Sequence, residues 1–182
     1  MQLLTERLLL RELEERDAAD ANDYERDPEV VRYQSDGVRT LEESLEYIRM
    51  SMTTARATPR RTFDLAVILR AEGRFIGRAG LQVTDPEIRE GTLWYVLHPA
   101  HWGKGYIVEA SRALLAFGFD EIGLHRVFID CDPANAASIR VAEKLGMRRE
   151  AHFVENAWIK GGWVDSMIWA LLDREWKAMQ GG

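Results

Sequence analysis

Apolar and polar residues alternate along the first third of the chain in patterns that predict one strand and two helices. The short apolar run within residues 7–11 stands between charged residues and indicates a strand. The alanine-containing stretch 17–26 indicates a helix that ends before Pro28. Thr40 and Glu43 have the spacing of a capping box, and apolar residues follow them at helical spacing. A second helix is therefore expected, with Thr40 as its N-cap.

The middle of the chain has a pattern typical of antiparallel strands. Residues 62–69 are rich in β-forming side chains, a turn follows at residues 71–74, and residues 75–83 return to an extended pattern. This arrangement predicts a hairpin. Residues 92–97 predict a further strand after the polar loop around Pro86.

Strands and helices alternate again after that strand. A glycine-containing loop at residues 98–106 leads into residues 107–117, whose apolar side chains lie on one face of a helix. Residues 126–131 predict a strand, and Asn135 opens another helix. Gly146 stands where a helix-terminating glycine belongs.

Two extended stretches, residues 152–154 and 164–170, complete the pattern before a short tail at residues 175–176. No internal repeat, low-complexity segment or linker interrupts it. We therefore expect one α+β domain over residues 1–182, an α/β arrangement in three layers with a mostly antiparallel sheet and flanking helices.

The composition favours a folded domain that neither crosses a membrane nor binds nucleic acid. The 182 residues are 46% apolar and 30% charged, which excludes a disordered or fibrous protein. The longest apolar runs are far shorter than the roughly 18 residues that span a bilayer. The net charge of −6 opposes contact with a nucleic-acid backbone, which requires a basic face.

Two further features predict a cytoplasmic location. The N-terminus lacks the basic segment and apolar stretch of a secretory signal. Cys131 is the single cysteine and cannot form an internal disulfide. We expect this cysteine to be buried, because the sequence specifies no histidine partner that would make it a nucleophile.

The most informative local feature is the loop Trp102-Gly103-Lys104-Gly105-Tyr106 between a predicted strand and a predicted helix. Gly103 and Gly105 permit unusual backbone conformations, so successive N–H groups can face an anion at the helix start. A phosphate or pyrophosphate suits this arrangement, and Lys104 adds a positive charge. The simpler interpretation is a tight strand-to-helix turn, because a lone Gly-x-Gly is a weak signal.

A second group of residues decides between these interpretations. Several motifs follow one another in a fixed order and spacing: His98-Pro99, the glycine loop, Glu109-Ala110, Asn135, Ser138 and Lys144-Leu145-Gly146. Together they resemble the acetyl-CoA-binding motifs of the GNAT acetyltransferase superfamily. Residues 5–11 and 162–171 also resemble its branch of Rim-type ribosomal-protein N-acetyltransferases. The resemblance covers nearly the whole chain.

This resemblance implies direct transfer of an acetyl group from acetyl-CoA to an amine, through a tetrahedral intermediate and without an acyl-enzyme. It also implies a GNAT-type mixed sheet in which two central strands splay apart. The pantetheine arm is then expected to pair with the backbone of Val96, Leu97 and His98. The pyrophosphate is expected to rest on the amides of residues 102–106, and no metal is implied.

The resemblance also assigns roles to two residues at the start of the last predicted helix. Asn135 is expected to bind the cofactor arm, although it also has the character of a helix N-cap. Ser138 is expected near the thioester sulfur, where it can protonate the departing thiolate or donate a hydrogen bond to it. The alternative for Ser138 is a solvated serine in the first helical turn.

Two positions depart from the pattern of the superfamily. Ala100 stands where Gln or Arg is common, which affects only the side-chain contacts expected from that position. Thr92 or one of its neighbours stands where related sequences carry a glutamate, so the general base is open. Glu90, Glu155 and Asp165 are candidates for the base, and we predict that Glu90 and Asp165 are catalytic. Surface or strand-end carboxylates are the simpler interpretation. A peptide α-amine needs less help from a base, since its pKa of about 7.7 to 8.0 lies below the roughly 10.4 of an alkylamine.

Other candidate chemistry is weaker. His98 and His101 are three residues apart, but no third ligand lies nearby, so we expect no zinc site. Trp94, Trp158 and Trp163 are candidates to line an acceptor pocket, with core or dimer-interface packing as the alternative.

The sequence therefore predicts an acetyl-CoA-dependent N-acetyltransferase that acts as a monomer or a homodimer. A protein N-terminal α-amine is the first acceptor that the resemblance suggests. A small amine, such as an antibiotic, a polyamine or an amino acid, is the alternative, and it calls for a site that encloses the acceptor among aromatic and acidic side chains. A non-catalytic acyl-CoA-binding module is a third hypothesis.

Overall fold

Eight strands form one continuous sheet in the computed structural model, which describes residues 1–181. The strands are β1 (Gln2–Leu4), β2 (Leu8–Glu12), β3 (Thr62–Leu69), β4 (Arg74–Asp85), β5 (Glu90–Leu97), β6 (Arg126–Cys131), β7 (Arg148–Ile159) and β8 (Gly162–Leu172). Their order in space is β1-β2-β3-β4-β5-β6-β8-β7. Every neighbouring pair is antiparallel except β5 and β6, which run parallel at the centre. The predicted fold class, a mixed and mostly antiparallel sheet, is confirmed.

Five α-helices flank the sheet: α1 (Asp17–Glu25), α2 (Leu41–Thr54), α3 (Tyr106–Ala116), α4 (Ala136–Lys144) and α5 (Asp173–Gln180). A 3₁₀ turn at Pro99–His101 precedes α3, and a π-helical turn at Phe117–Ile122 follows it. The predicted capping box of α2 is confirmed. The Thr40 hydroxyl accepts the Glu43 N–H at 3.2 Å, and the Glu43 carboxylate accepts the Thr40 N–H at 2.7 Å.

Both faces of β3 and β4 are buried over most of their length, and the buried residues are apolar except for Asp64 and Arg78. One face packs against α1 and α2 through residues such as Tyr24, Ile48 and Ile68. The other face packs against α3 and the C-terminal helix through residues such as Leu114 and Trp176. The sheet therefore separates two apolar layers, and the site described below lies where its central strands open.

The C-terminal quarter differs from the sequence prediction. The two short extended stretches are the long strands β7 and β8, joined by a turn in which Lys160 and Gly161 have positive φ angles. The alternation of β7 is hidden because this strand lies at the sheet edge and most of its side chains are exposed. The predicted tail at residues 175–176 is part of α5, which buries Trp176.

Candidate active site

The candidate active site is a cavity between β5 and β6, the parallel pair at the centre of the sheet. The two strands are paired only from Glu90 opposite Arg126 to Thr92 opposite Phe128. Beyond these residues they diverge, and a cavity of about 760 Å³ opens there. Its walls include residues 93–97 of β5 and 129–132 at the end of β6. The splayed central strand pair is therefore present.

The backbone of β5 directs polar groups into this opening. The His98 N–H donates to the Ile76 carbonyl oxygen at 2.9 Å, so His98 and, by alternation, Val96 direct their backbone groups toward β4. Tyr95 and Leu97 direct theirs to the opposite side, where β6 has moved away. Val96 and Leu97 line the cavity, whereas His98 does not.

The glycine loop lies at the open end of β5 and begins α3. Gly103 and Gly105 have φ angles of 73° and 80°, which glycine adopts without steric strain. The backbone N–H groups of residues 103–108 meet no hydrogen-bond acceptor within residues 1–181. Four loop residues line the cavity, namely Trp102, Gly103, Gly105 and Tyr106, and Lys104 lies outside its wall. The loop therefore presents a row of free amides to an anion.

Helix α4 brings Asn135 and Ser138 to the same cavity. Asn135 is the N-cap, and its side-chain oxygen accepts the Ser138 N–H at 3.1 Å. The Tyr95 hydroxyl is buried beside Ser138 and has no hydrogen-bond partner among residues 1–181. Burial raises the pKa of Tyr95 to about 12, so this hydroxyl keeps its proton at neutral pH. Two hydroxyl donors thus lie near the point where the strands open.

A segment between α1 and α2 forms the cavity wall on the α1–α2 face of the sheet. Residues 29–39 contribute several side chains to its wall. The Tyr33 hydroxyl donates to the Ala134 carbonyl oxygen at 3.2 Å, which joins the segment to the loop before α4. The Lys160 ammonium donates to the Val31 carbonyl oxygen at 2.6 Å, which joins it to the β7–β8 turn. We call this segment the cover.

A group of buried charged side chains lies between the sheet and the cover, next to the cavity. The Arg78 guanidinium is 3% exposed and lies 2.5 Å from the Glu25 carboxylate and 3.4 Å from the Asp64 carboxylate. The Arg39 guanidinium donates a hydrogen bond to the second carboxylate oxygen of Glu25 at 3.0 Å, and the Tyr47 hydroxyl donates to the Asp64 carboxylate at 2.7 Å. The charges of the two arginines are therefore balanced by Glu25 and Asp64, although both arginines line the cavity.

Trp94 and Asp130 face each other across the splayed strands on the α1–α2 face of the sheet. Trp94 lies over Gly80 of β4 so closely that a Cβ atom there would be 2.3 Å from the indole. Val127 and Ile129 of β6 pack into the layer that contains α3. Strand alternation therefore turns Asp130 to the opposite face, where it lines the cavity with Trp94.

Asp130 has an environment suited to proton transfer. Asp130 is exposed to the open cavity, but partial desolvation in the cavity wall raises the pKa of its carboxyl, and the neighbouring Ser166 hydroxyl offsets part of that rise. The Ser166 oxygen accepts a hydrogen bond from the Asn156 side chain at 2.8 Å, which orients the hydroxyl. Asp130 is not among the site residues predicted from the sequence. The alternation within residues 126–131 was the signal that could have identified it.

The carboxylates predicted from the sequence as candidates for the base lie elsewhere. Glu90 is at the paired end of β5 and forms an ion pair with Arg126. Asp165 accepts hydrogen bonds from His152 at 2.8 Å and from the Glu155 N–H at 2.9 Å, within the β7–β8 hairpin. None of Glu90, Glu155 and Asp165 lines the cavity.

Other residues considered in the sequence analysis have ordinary surroundings. Cys131 lines the cavity but is buried, and burial raises the pKa of its thiol to about 11. Trp158 and Trp163 pack edge to face near the β7–β8 turn and are mostly exposed, whereas Trp94 is in the cavity wall. Residues 1–181 contain no cluster of His, Cys, Asp and Glu that could hold a metal, and no helix among them has the length and apolar character to cross a membrane.

Comparison with known proteins identifies this arrangement. Residues 7–148 match the family model described as an acetyltransferase (GNAT) domain. The chain is 35% identical over 177 residues to an uncharacterized N-acetyltransferase, YnaD of Bacillus subtilis, and the match covers 97% of this chain and 99% of that protein. It is 32% identical to a GNAT-family acetyltransferase structure from Bacillus anthracis, with a TM-score of 0.86 and coverage of 96% and 100%.

Two structures at lower identity share the fold. A spermidine N-acetyltransferase from Vibrio cholerae in complex with CoA and spermine has a TM-score of 0.81 at 20% identity, with coverage of 95% of this chain and 99% of that one. RimL, a ribosomal L7/L12 alpha-N-protein acetyltransferase in complex with coenzyme A, has a TM-score of 0.84 at 15% identity, with coverage of 94% and 98%.

Proposed function

Because the chain belongs to the GNAT family of N-acetyltransferases, we propose that it transfers the acetyl group of acetyl-CoA to a small primary amine that carries additional positive charge. One observation carries this proposal. Where β5 and β6 separate, free amides of the glycine loop lie on one side of the cavity and the carboxylate of Asp130 lies on the other. An anionic donor and a cationic acceptor are both matched by such a cavity.

The part of the cavity lined by the glycine loop, Asn135 and Ser138 is the donor half, and it fits acetyl-CoA. The N–H groups of residues 103–108 suit the pyrophosphate, because they are free and stand at the start of α3. The backbone of Tyr95 and Leu97 offers polar groups to the pantetheine amides along the opened edge of β5. Lys104 and His98 lie outside the cavity wall, so their part in binding is proposed as peripheral.

Ser138 and Asn135 are proposed to act at the thioester. The Ser138 hydroxyl donates to the departing sulfur as the bond between sulfur and the acetyl carbon breaks. Asn135 fixes the first turn of α4 and directs its amide group toward the pantetheine arm. The Tyr95 hydroxyl is buried beside Ser138, so it orients the serine or donates a second hydrogen bond to the sulfur.

Asp130 is proposed as the general base. Its carboxylate lines the cavity on the side of the sheet, and partial desolvation there keeps its pKa above the ordinary value for aspartate. A base with a raised pKa accepts a proton more readily from the attacking amine, directly or through one water. The other charged groups that line the cavity belong to β4, to the end of β6, to α4 and to the cover: Arg78, Asp132, Arg140, Lys144, Glu29, Asp36 and Arg39.

The part of the cavity lined by the cover, Trp94 and Asp130 is the acceptor half, and its side chains favour a small cationic amine. Its carboxylates include Glu29, Asp36, Asp130 and Asp132, and its aromatic side chains include Tyr33, Tyr47 and Trp94. Arg39 and Arg78 are balanced by the buried carboxylates of Glu25 and Asp64, and Asp36 is itself ion-paired with Arg39. Carboxylates and aromatic rings together bind alkylammonium groups. A protein N-terminal α-amine is the second candidate, which the resemblance to the Rim-type branch supports.

The proposal is tested by release of CoA from acetyl-CoA in the presence of an amine panel. The panel contains spermidine, lysine amide and short peptides with free or blocked α-amines, and a reaction without amine measures hydrolysis. We expect turnover with spermidine or lysine amide to exceed that with peptides by at least tenfold in kcat/KM. Preference for peptides with free α-amines would favour the second candidate. Tight binding of acetyl-CoA without turnover of any amine would indicate a non-catalytic binding module.

A further inference from the structure

The N-terminal segment is bound to the start of α3 through a carboxylate outside the cavity. One oxygen of Glu109 accepts the Thr5 hydroxyl at 2.6 Å and the Arg7 N–H at 2.8 Å. The other oxygen lies 2.6 Å from the Arg7 Nε. Glu109 belongs to the first turn of α3, which begins directly after the glycine loop.

Arg7 also contacts the loop itself. Its Nη1 donates to the Lys104 carbonyl oxygen at 3.0 Å, and its guanidinium lies 4.6 Å from the centre of the Tyr106 ring. The Lys104 carbonyl and the Gly105 N–H belong to one planar trans peptide unit, so they point in opposite directions. A carbonyl that is fixed on Arg7 therefore directs the Gly105 N–H away from the N-terminal segment. Gly105 lies in the cavity wall.

The charge of Arg7 has a second consequence at the same place. Burial alone would raise the pKa of Glu109, but hydrogen bonds from Thr5 and Arg7 outweigh it and lower the pKa, so the carboxylate is ionised at neutral pH. An unpaired carboxylate in the first turn of α3 would compete with a phosphate for the positive end of the helix. Arg7 neutralises this carboxylate while it holds the loop.

We propose that Arg7 is a positioning residue for the donor phosphates. It sets the Lys104–Gly105 peptide so that the Gly105 amide faces the cavity, and it cancels the charge of Glu109 beside the phosphate site. Arg7 does not line the cavity, so it acts through the loop rather than by contact with the donor. This inference rests on the proposed function, because it assumes that the donor carries a pyrophosphate.

The test measures the affinity for CoA and compares two acetyl donors, one with and one without the phosphorylated nucleotide portion. CoA is titrated by calorimetry into the wild type, Arg7→Ala, Arg7→Lys and Arg70→Ala, and S-acetylpantetheine is compared with acetyl-CoA as a donor in turnover. Arg70→Ala is the matched control, because Arg70 donates to the Thr5 and Glu6 carbonyl oxygens and holds the same segment without touching the loop. Thermal unfolding of each variant establishes that it is folded.

We expect Arg7→Ala to raise the Kd for CoA about tenfold, as loss of charge-assisted hydrogen bonds predicts. The kcat/KM for S-acetylpantetheine is expected to stay within about twofold of the wild type, since this donor lacks the pyrophosphate. Arg7→Lys keeps the charge but cannot bridge Glu109 and the Lys104 carbonyl, so a partial loss is expected. Arg70→Ala is expected to bind CoA as the wild type does.

Three results would overturn the inference. Unchanged CoA affinity in a folded Arg7→Ala variant would show that the loop is set without Arg7. Equal losses with acetyl-CoA and S-acetylpantetheine would indicate a general disturbance, and an equal loss in Arg70→Ala would assign the effect to the anchored segment. The calorimetry is independent of acetyl transfer, so a wild type that binds CoA but acetylates no amine would refute the proposed function and leave the role of Arg7 measurable.

Discussion

The Trp102 indole N–H donates to the Leu97 carbonyl oxygen at 2.7 Å, and this bond ties the glycine loop to the end of β5. The two residues belong to the two surfaces proposed to bind different parts of acetyl-CoA. Leu97 ends the opened strand edge, and Trp102 immediately precedes the free loop amides of residues 103–108. The distance between these surfaces is therefore set by one side-chain hydrogen bond and by the short 3₁₀ turn at Pro99–His101.

Trp102→Phe should weaken donor binding with little loss of stability. Phenylalanine keeps an aromatic ring but cannot donate to the Leu97 carbonyl, and the indole of Trp102 is about half exposed. We expect the Kd for CoA to rise about three- to tenfold, the range that loss of one hydrogen bond predicts. Calorimetry measures the affinity, and Trp158→Phe, at an exposed tryptophan of the β7–β8 hairpin, is the control. Equal affinity in Trp102→Phe and the wild type would contradict the prediction.

Ser138→Ala should separate binding from turnover. The substitution keeps the backbone N–H that Asn135 accepts, so α4 retains its cap. Loss of a donor at the leaving sulfur should lower kcat by about a hundredfold, while the Kd for acetyl-CoA stays near that of the wild type. Stopped-flow or steady-state release of CoA gives kcat, and calorimetry gives the affinity. A variant with normal turnover would reduce Ser138 to a residue of the first helical turn.

Asp130→Asn should remove the acidic limb of the pH profile of kcat/KM. A base must be ionised, so activity of the wild type rises with pH through the pKa of Asp130, which partial desolvation raises above the ordinary aspartate value. The asparagine variant has no such group, and its residual rate should be low and lack that limb. Asp132→Asn, at another carboxylate of the cavity wall, is the control. A similar limb in both variants would exclude Asp130 as the base.

The raised pKa of Asp130 also predicts how the free energy of unfolding depends on pH. The folded state holds the Asp130 proton at pH values where the unfolded chain has lost it, because the folded pKa is the higher one. The free energy of unfolding therefore falls as pH rises from the ordinary aspartate pKa through the raised value. Asp130→Asn stays neutral and should lose this contribution, so its stability relative to the wild type should increase over that window. Urea unfolding at a series of pH values measures the difference, and a constant difference would contradict the sign.

Local signals in the sequence were sufficient for much of the fold. The capping box at Thr40 and Glu43 predicted α2 because a cap depends on residues three positions apart. The hairpin of β3 and β4 was predicted because its turn and both strands are adjacent in the chain. The glycine loop and Asn135 were identified by their motifs, and the structure brings both to one cavity.

Features that depend on distant pairing were not predictable in the same way. Arg78, Glu25 and Asp64 come from β4, α1 and β3, and no spacing along the chain indicates that they meet. Asp130 belongs to the cavity only because β6 runs beside β5 and then separates from it. Glu109 was noted as part of a motif, but its contacts with Thr5 and Arg7 span about a hundred residues.

Arg78→Met should destabilise the protein strongly. The variant removes the cation that lies between the buried carboxylates of Glu25 and Asp64, and Arg39 can compensate only at Glu25. Removal of one partner from a buried ion pair costs about 3 to 5 kcal/mol. The control is Arg16→Met, because Arg16 pairs with a carboxylate at the surface, where a change below about 1 kcal/mol is expected. Urea denaturation at neutral pH gives both values, and a loss below about 1 kcal/mol in Arg78→Met would show that the buried carboxylates do not require this arginine.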